Sequence, residues 1–366
     1  MTATEVLGVG TLTAGVVAEV DGHGTVRRGP VRLGWRVRSG NEWLIPGVDV
    51  PARRSRPGPA PMVQTALRLP GGDAVQRVFA VGDGDSDVVV VEVENDSPEA
   101  IAVGFVVEAA GTVTGDDACA RVDGSVVAAF GRRPGAVEDG NVFVFPVPHR
   151  TRVRIALTTA TGLDVRALAD AEAVARAWDR VLDRGMRTEL PEPLQSEVDA
   201  ARADLLLATP SAEAFVALEA WGLDHEAVEM WARLPIRARR AARRSPGTGV
   251  LGETRAALVR EDARTVKILP GFRTAWLGRH LAAHDVPLRA GRCSFALRWH
   301  GARPALLWDV PPGTTVRAPA LDPGWSSDEP TGETLLAEPP TALLPLGARA
   351  EGALPGTGVD PPEEFS

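Results

Sequence analysis

Two histidines four residues apart, His280 and His284, are the first pair in the sequence equipped for chemistry. On a helix this spacing puts both imidazoles on one face, where they could hold a metal with Asp285 as a third ligand. Between them lies Leu281-Ala282-Ala283, without the glutamate that activates water in HExxH enzymes. The sequence therefore assigns no metal and no cofactor. Asp83, Asp85, Asp87 and Glu94 fall at ligand positions of a calcium loop, but Val88 replaces the sharp-turn glycine and a strand-like run follows. The expectation there is an acidic hairpin turn. Gly247-Thr248-Gly249-Val250-Leu251-Gly252 matches GxGxxG, with Thr254 in the P-loop position and Glu253 where lysine is required. An Arg-rich helical segment precedes it in place of a strand, so it reads as a linker. No GxSxG elbow is present, and neither Cys119 nor Cys293 has a neighbouring histidine signature.

Tryptophan offers a different chemistry. Aromatic faces suit the apolar C–H faces of sugars, and the candidates are Trp221, Trp276, Trp299 and Trp308. His284, His300 and Arg303 are the polar side chains expected to meet hydroxyl groups. Arg237–Arg244 holds five arginines, a run that reads first as a solvated helix face and second as a contact for an acidic partner.

The elements that must position these residues follow from composition and period. With 366 residues, 44% hydrophobic and 24% charged, the chain has the make-up of a globular protein of two or three domains. A net charge of −8 disfavours a nucleic-acid partner. No secretory signal follows Met1, no stretch has the length of a membrane span, and two distant cysteines make no disulfide framework. The cytoplasm is the expected compartment, with no membrane partner.

An α+β fold is expected. Residues 5–160 read as an antiparallel β-sandwich of short strands with polar turns. Val88–Glu94 and Ala100–Val107 flank Asn95-Asp96-Ser97-Pro98 as a hairpin, and Asp21–Gly24 and Pro148–Arg150 mark further turns. The proline-rich segment 53–61 reads as a loop. Residues 163–262 switch to a helical period. There Val165–Leu182 presents Leu168, Val174, Trp178 and Leu182 on one face, and Leu194–Ala208 presents Leu194, Val198, Ala201, Leu205 and Ala208. Ser211 and Asp224 are expected to cap the next two helices, and Pro235 ends the second of them. Residues 263–338 return to a small β unit, and 339–366 form a flexible tail.

Several segments together resemble the bacterial six-hairpin glycosidases of the glucoamylase and glycogen-debranching type. Val88–Pro98 looks like the inner hairpin of their N-terminal sandwich. Trp178 to Pro193, with Glu189-Leu190-Pro191-Glu192-Pro193, looks like their entry into a helical barrel. Ala217–Asp224 is similar to their inter-helix passages, and Ser294–Val310 to their closing strands. The resemblance implies a barrel of twelve helices carrying two carboxyl groups, one protonating the glycosidic oxygen and one activating water. Twelve average helices need on the order of 200 residues, whereas fewer than 100 lie between Val165 and Asp262. Four or five helices fit. The catalytic pair is not carried over; Glu219, Asp224 and Glu226 are acids near a suitable segment, and the last two read first as helix-terminus charges.

The expectation is a carbohydrate-associated protein resembling a truncated glycoside hydrolase without hydrolytic activity. Its saccharide would be held by Trp221, Trp276, His284, Trp299 and His300. The alternatives are a glycoside hydrolase completed by oligomerisation and a non-enzymatic structural or protein-interaction module.

Overall fold

A computed structural model describes residues 6–84, 86–242 and 249–339. The α+β class holds, with large antiparallel sheets first, short helices next and smaller sheets last. The chain forms two compact units. The first contains residues 1–185, 196–219 and 223–251, and the second contains residues 186–195, 220–222 and 252–366. These units differ from the three consecutive segments drawn on the sequence, because the strand Arg187–Glu189 and residues 220–222 belong with the later strands.

The first unit is a sandwich of two eight-stranded sheets. One sheet runs from the hairpin Leu7–Thr11/Gly15–Val20 through Val31–Ser39 and Ile101–Glu108 to Val142–Val147. The other is centred on Gly72–Asp83, Ser86–Asn95 and Arg152–Leu157. Asp21–Gly24 makes the expected hairpin turn, its Asp21 carboxylate accepting from the amides of His23 and Thr25 at 2.9 Å each. The segment at 53–61 needs correction. Ala52–Ser55 is a strand, and it lies at a sheet edge where the following prolines cost no ladder bonds.

A second correction falls at Asn95. The strands on either side of it lie in different sheets, so the turn is a crossing between layers instead of a hairpin. Pro148–Arg150 is likewise a crossing. The two crossings are stitched together. Fully buried Asn95 donates from Nδ2 to the carbonyls of Glu99 (2.7 Å) and Val147 (2.9 Å) and accepts from Ser97. Its main chain also exchanges hydrogen bonds with Arg150 and Thr151.

The run Val88–Val93 has a structural reason. Val89, Val91 and Val93 face the inter-sheet core with Leu33, Phe105, Phe143 and Ile155, while Val88 and Val90 face a second core. A strand buried on both faces loses the polar alternation of a half-exposed one. The second core is built with helices α1 (Ala171–Leu182), α2 (Leu194–Leu207), α3 (Ala212–Ala220) and α4 (Asp224–Arg233), through Trp178, Leu206, Leu218 and Met230. The helical region is therefore a third layer on the sandwich.

Six α-helices occur among the described residues, with α5 (Ile236–Ala242) and α6 (Gly249–Leu258) completing the set. That exceeds the four or five expected, since all are short, and falls well under twelve. Ser211 caps α3 as anticipated, accepting from Ala214 N at 3.0 Å. Asp224 is instead the first residue of α4, with Leu223 at the cap. On α2 the buried stripe is Val198, Arg202, Ala203, Leu206 and Leu207, rotated from the expected one. Buried Arg202 explains the rotation: it donates to Leu182 O, an end carbonyl of α1, and pairs with Asp199 at 3.7 Å.

The second unit holds a five-stranded sheet ordered Arg187–Glu189, Leu281–Leu288, Gly291–His300, Arg303–Asp309, Thr331–Leu335, and a four-stranded sheet beginning at Val259–Asp262. Strand structure thus starts before residue 263. Gly249–Gly252, expected in a linker, opens α6; Gly247 and Thr248 lie outside the described residues, as do residues 340–366 of the expected tail.

One buried ion pair lies on the sheet face that the helices cover. The Glu92 side chain is 1% exposed on the face turned to α1, 2.8 Å from Arg154 and 3.6 Å from Arg152. Burial pushes its carboxyl up, and the opposing pull of Arg154 and Arg152 is smaller. A carboxyl raised in the folded state stabilises fully below its unfolded pKa and loses that contribution as pH rises through the folded one. Glu92→Gln, which cannot ionise, should match the wild type near pH 4 and gain on it as pH rises. Urea midpoints of both proteins at several pH values measure this; a gap moving the other way would mean that the arginines outweigh burial.

Candidate functional site

The histidines do not form the face a helix would give. His284 lies in the strand Leu281–Leu288 and His280 immediately precedes it, so four residues span roughly 13 Å instead of roughly 6 Å. Strand pairing places Glu189 opposite Ala282, midway between them. Its carboxylate reaches His280 Nε2 at 2.9 Å and His284 Nε2 at 3.6 Å. Asp285, the proposed third ligand, pairs with Arg187 at 3.3 Å. Among the described residues no group of three or more His, Cys, Asp or Glu side chains could hold a metal.

The tryptophans are mostly core. Trp221 is 1% exposed and Trp276 3%, so neither presents a ring face to a sugar. This corrects the platform reading for both: the apolar area that would have stacked on a ligand is used in packing. Trp276 packs edge-on to Phe272 at 5.8 Å, and Phe272 also meets Trp299 at 6.4 Å. Trp299 is partly exposed, with its indole donating to Arg279 O at 2.9 Å. Trp308 is buried against Trp325, and its indole donates to Glu329 O. Arg303 donates to the carbonyls of Leu335 and Leu336, while His300 is exposed at its turn. Only Trp276 and Trp299 are drawn together, through Phe272.

The remaining charged motifs have local partners. Asp87 accepts from Thr11, and Glu94 pairs with Arg77 at 2.7 Å; Asp85 lies outside the described residues. Arg239 donates to the Ala232 and Leu234 carbonyls at the end of α4 and lies over the Trp231 ring at 5.4 Å. Arg243 and Arg244 lie outside the described residues. Thr254 is buried within α6, where its hydroxyl has no place in a phosphate loop.

A pocket of about 900 Å3 lies within the first unit. One wall is the hairpin from Leu7 to Val16. The other comes from Arg184 after α1, the C-terminal end of α2 with Asp204, and α4 with His225, Glu226, Glu229, Met230 and Arg233. Six of its seven ionisable side chains come in pairs. Arg56 meets Asp204 at 2.7 Å, Arg184 meets Glu226 at 3.1 Å, and His225 meets Glu229 at 3.4 Å. Glu226 is the least exposed of these acids, at 11% of its side chain. Its Oε1 takes Arg184, whereas buried Oε2 has no hydrogen-bond partner in the protein. Of the three acids noted in the sequence, Glu226 alone lines the pocket. Burial and the neighbouring charge of Asp224 raise the Glu219 carboxyl outside it.

Sequence reasoning missed most of this site. His225, Glu229 and Arg233 recur every fourth residue along α4, a polar face that was visible. Arg56 and Arg184 were not, since their partners lie 148 and 42 residues away.

Compared with models of known protein families and with curated proteins, the sequence matches none.

The two walls meet at Gly15. Its φ is +73°, and a Cβ there would lie 2.9 Å from the Leu207 carbonyl oxygen at the end of α2. Gly15→Ala should cost about 1–2 kcal/mol from the left-handed backbone alone, and more from the contact. Thermal melting measures it, and an unchanged melting temperature would show that the hairpin simply moves away. Trp276→Ala should cost about 3–5 kcal/mol as a core truncation; a variant as stable as the wild type would return Trp276 to the list of ligand-facing residues.

Proposed function

We propose that the chain binds a saccharide in the pocket between the Leu7–Val16 hairpin and α4, without hydrolysing it. The observation that carries this reading is Glu226, the least exposed acid of the pocket wall, with one oxygen held by Arg184. A carboxylate oxygen held by one guanidinium keeps a further lone pair, and a ligand hydroxyl is a donor that it can take. The pocket also offers apolar surface from Leu12 and Val16 beside its guanidinium and carboxylate groups. A sugar ring combines both requirements, with hydroxyls around its rim and C–H groups on its faces. The volume lies in the range of small-molecule sites.

Glycoside hydrolysis needs one carboxyl group to give a proton and another to activate water or attack. Asp204, Glu226 and Glu229 each face a basic side chain, an arrangement suited to holding hydroxyls. The six short helices of the described residues supply no twelve-helix ring, in keeping with a shortened relative of the six-hairpin glycosidases. We place the protein in the cytoplasm, which suits two buried free cysteines. No helix of the described residues is long and apolar enough to cross a membrane.

Titration calorimetry against a panel of mono- and oligosaccharides tests the reading. Glu226→Ala should weaken binding about 10- to 100-fold, the worth of a hydrogen bond to a charged group. Trp299→Ala should leave it unchanged. The absence of binding to every saccharide would refute the proposal, and release of reducing ends would refute the non-hydrolytic part of it.

A further inference from the structure

The pocket is asymmetric in a way that a free sugar does not use. Every charged lining residue lies outside the hairpin, whose own contribution is Val6, Leu7, Gly8 and the stretch from Leu12 to Val16. Nine large apolar side chains are exposed among the described residues, and three of them stand on this lip: Val6 at 51%, Leu12 at 42% and Val16 at 51%. Chance scatter would not gather a third of them beside one cavity. Single exposed apolar residues need no explanation, but a contiguous group rimmed by polar ones marks a contact surface.

The exposure of Val16 has a local cause. Its cross-strand partner is Gly10, and Gly8 lies so close that a Cβ there would sit 3.1 Å from the valine methyl groups. Neither neighbour has a side chain to cover it. Leu12 sits at the tip of the hairpin turn, between Thr11 and Gly15. Leu206 and Leu207 also line the pocket, with their side chains largely buried.

Resting on the saccharide reading above, we propose that the ligand is an amphiphilic glycoside. Its sugar lies against Glu226 and Arg184, and an apolar aglycone (an alkyl or aryl group) lies along Leu12 and Val16.

The test is calorimetry with methyl and octyl glycosides of glucose, galactose and mannose, each below its micelle-forming concentration. The proteins are the wild type, the double variant Leu12→Ser/Val16→Ser, and Val48→Ser, which alters an apolar side chain that is 76% exposed and outside the pocket lining. Each methylene removed from water contributes about fourfold in affinity, so the octyl form should bind about tenfold tighter or more than the methyl form. The double variant should bring the two to near equality, and Val48→Ser should change nothing. Equal binding of both forms to the wild type would overturn the aglycone proposal while leaving saccharide binding intact. So would an octyl preference that survives in the double variant. If no glycoside of either form binds, the saccharide reading itself falls, and this inference with it. Circular dichroism of the double variant checks that it is folded.

Discussion

The attachment of helices to sheet depends on a charge placed where water cannot reach it. Glu92 occupies a strand position on the face that α1 covers, 2.8 Å from Arg154, its direct cross-strand partner. Arg154 also donates to the carbonyls of Leu168 and Ala169, fixing the chain just before Asp170. Asp170 then caps α1 by accepting from Ala173 N at 2.8 Å. Arg154 thereby ties the chain to the sheet just ahead of the first helix. The apolar side chains of α1 supply the bulk of the contact, but hydrophobic burial has no direction of its own. Direction comes from the carboxylate, the guanidinium and the two carbonyls.

The pocket inherits its walls from that arrangement. Arg184 follows directly on α1, and α2 is held against the end of α1 by Arg202. Asp204 on α2 is reached by Arg56 from the loop after the edge strand. With the helical layer fixed, α4 turns its polar side toward the hairpin while Ala227 and Met230 remain in the core. Gly15 lets the hairpin come within contact of Leu207. Two of the three polar pairs of the site, Arg56–Asp204 and Arg184–Glu226, thus join segments already placed by packing.

Much of the fold was legible in the sequence. The sandwich, the change of period after residue 160 and the return of strands followed from alternation and turn chemistry. The misreadings have physical sources. Asn95-Asp96-Ser97-Pro98 carries the chemistry of a hairpin turn and of a layer crossing equally, and only the sheet partners distinguish them. The unbroken valines from Val88 to Val91 did hold the information that a third layer exists, in the loss of alternation. His280 and His284 would lie one above the other on a helix, whereas pairing with Arg187–Glu189 and Gly291–His300 makes that segment a strand. Tryptophan identity suggested platforms, yet burial is a tertiary property and took Trp221 and Trp276 into the interior. The site was the least legible part, because ion pairs between distant segments leave no periodic trace.

The stitched crossings at Asn95 carry an implication for synthesis of the chain. Its amide group is matched by carbonyls at Glu99 and Val147, and its main chain by Arg150 and Thr151. A nascent polypeptide that has emerged only as far as residue 140 holds the asparagine but lacks three of these four counterparts. The polar knot between the two layers can close only when the stretch around residues 147–151 arrives, some fifty positions later. Closure of the knot thus waits on chain elongation, and the helical layer of the same unit is delivered after it.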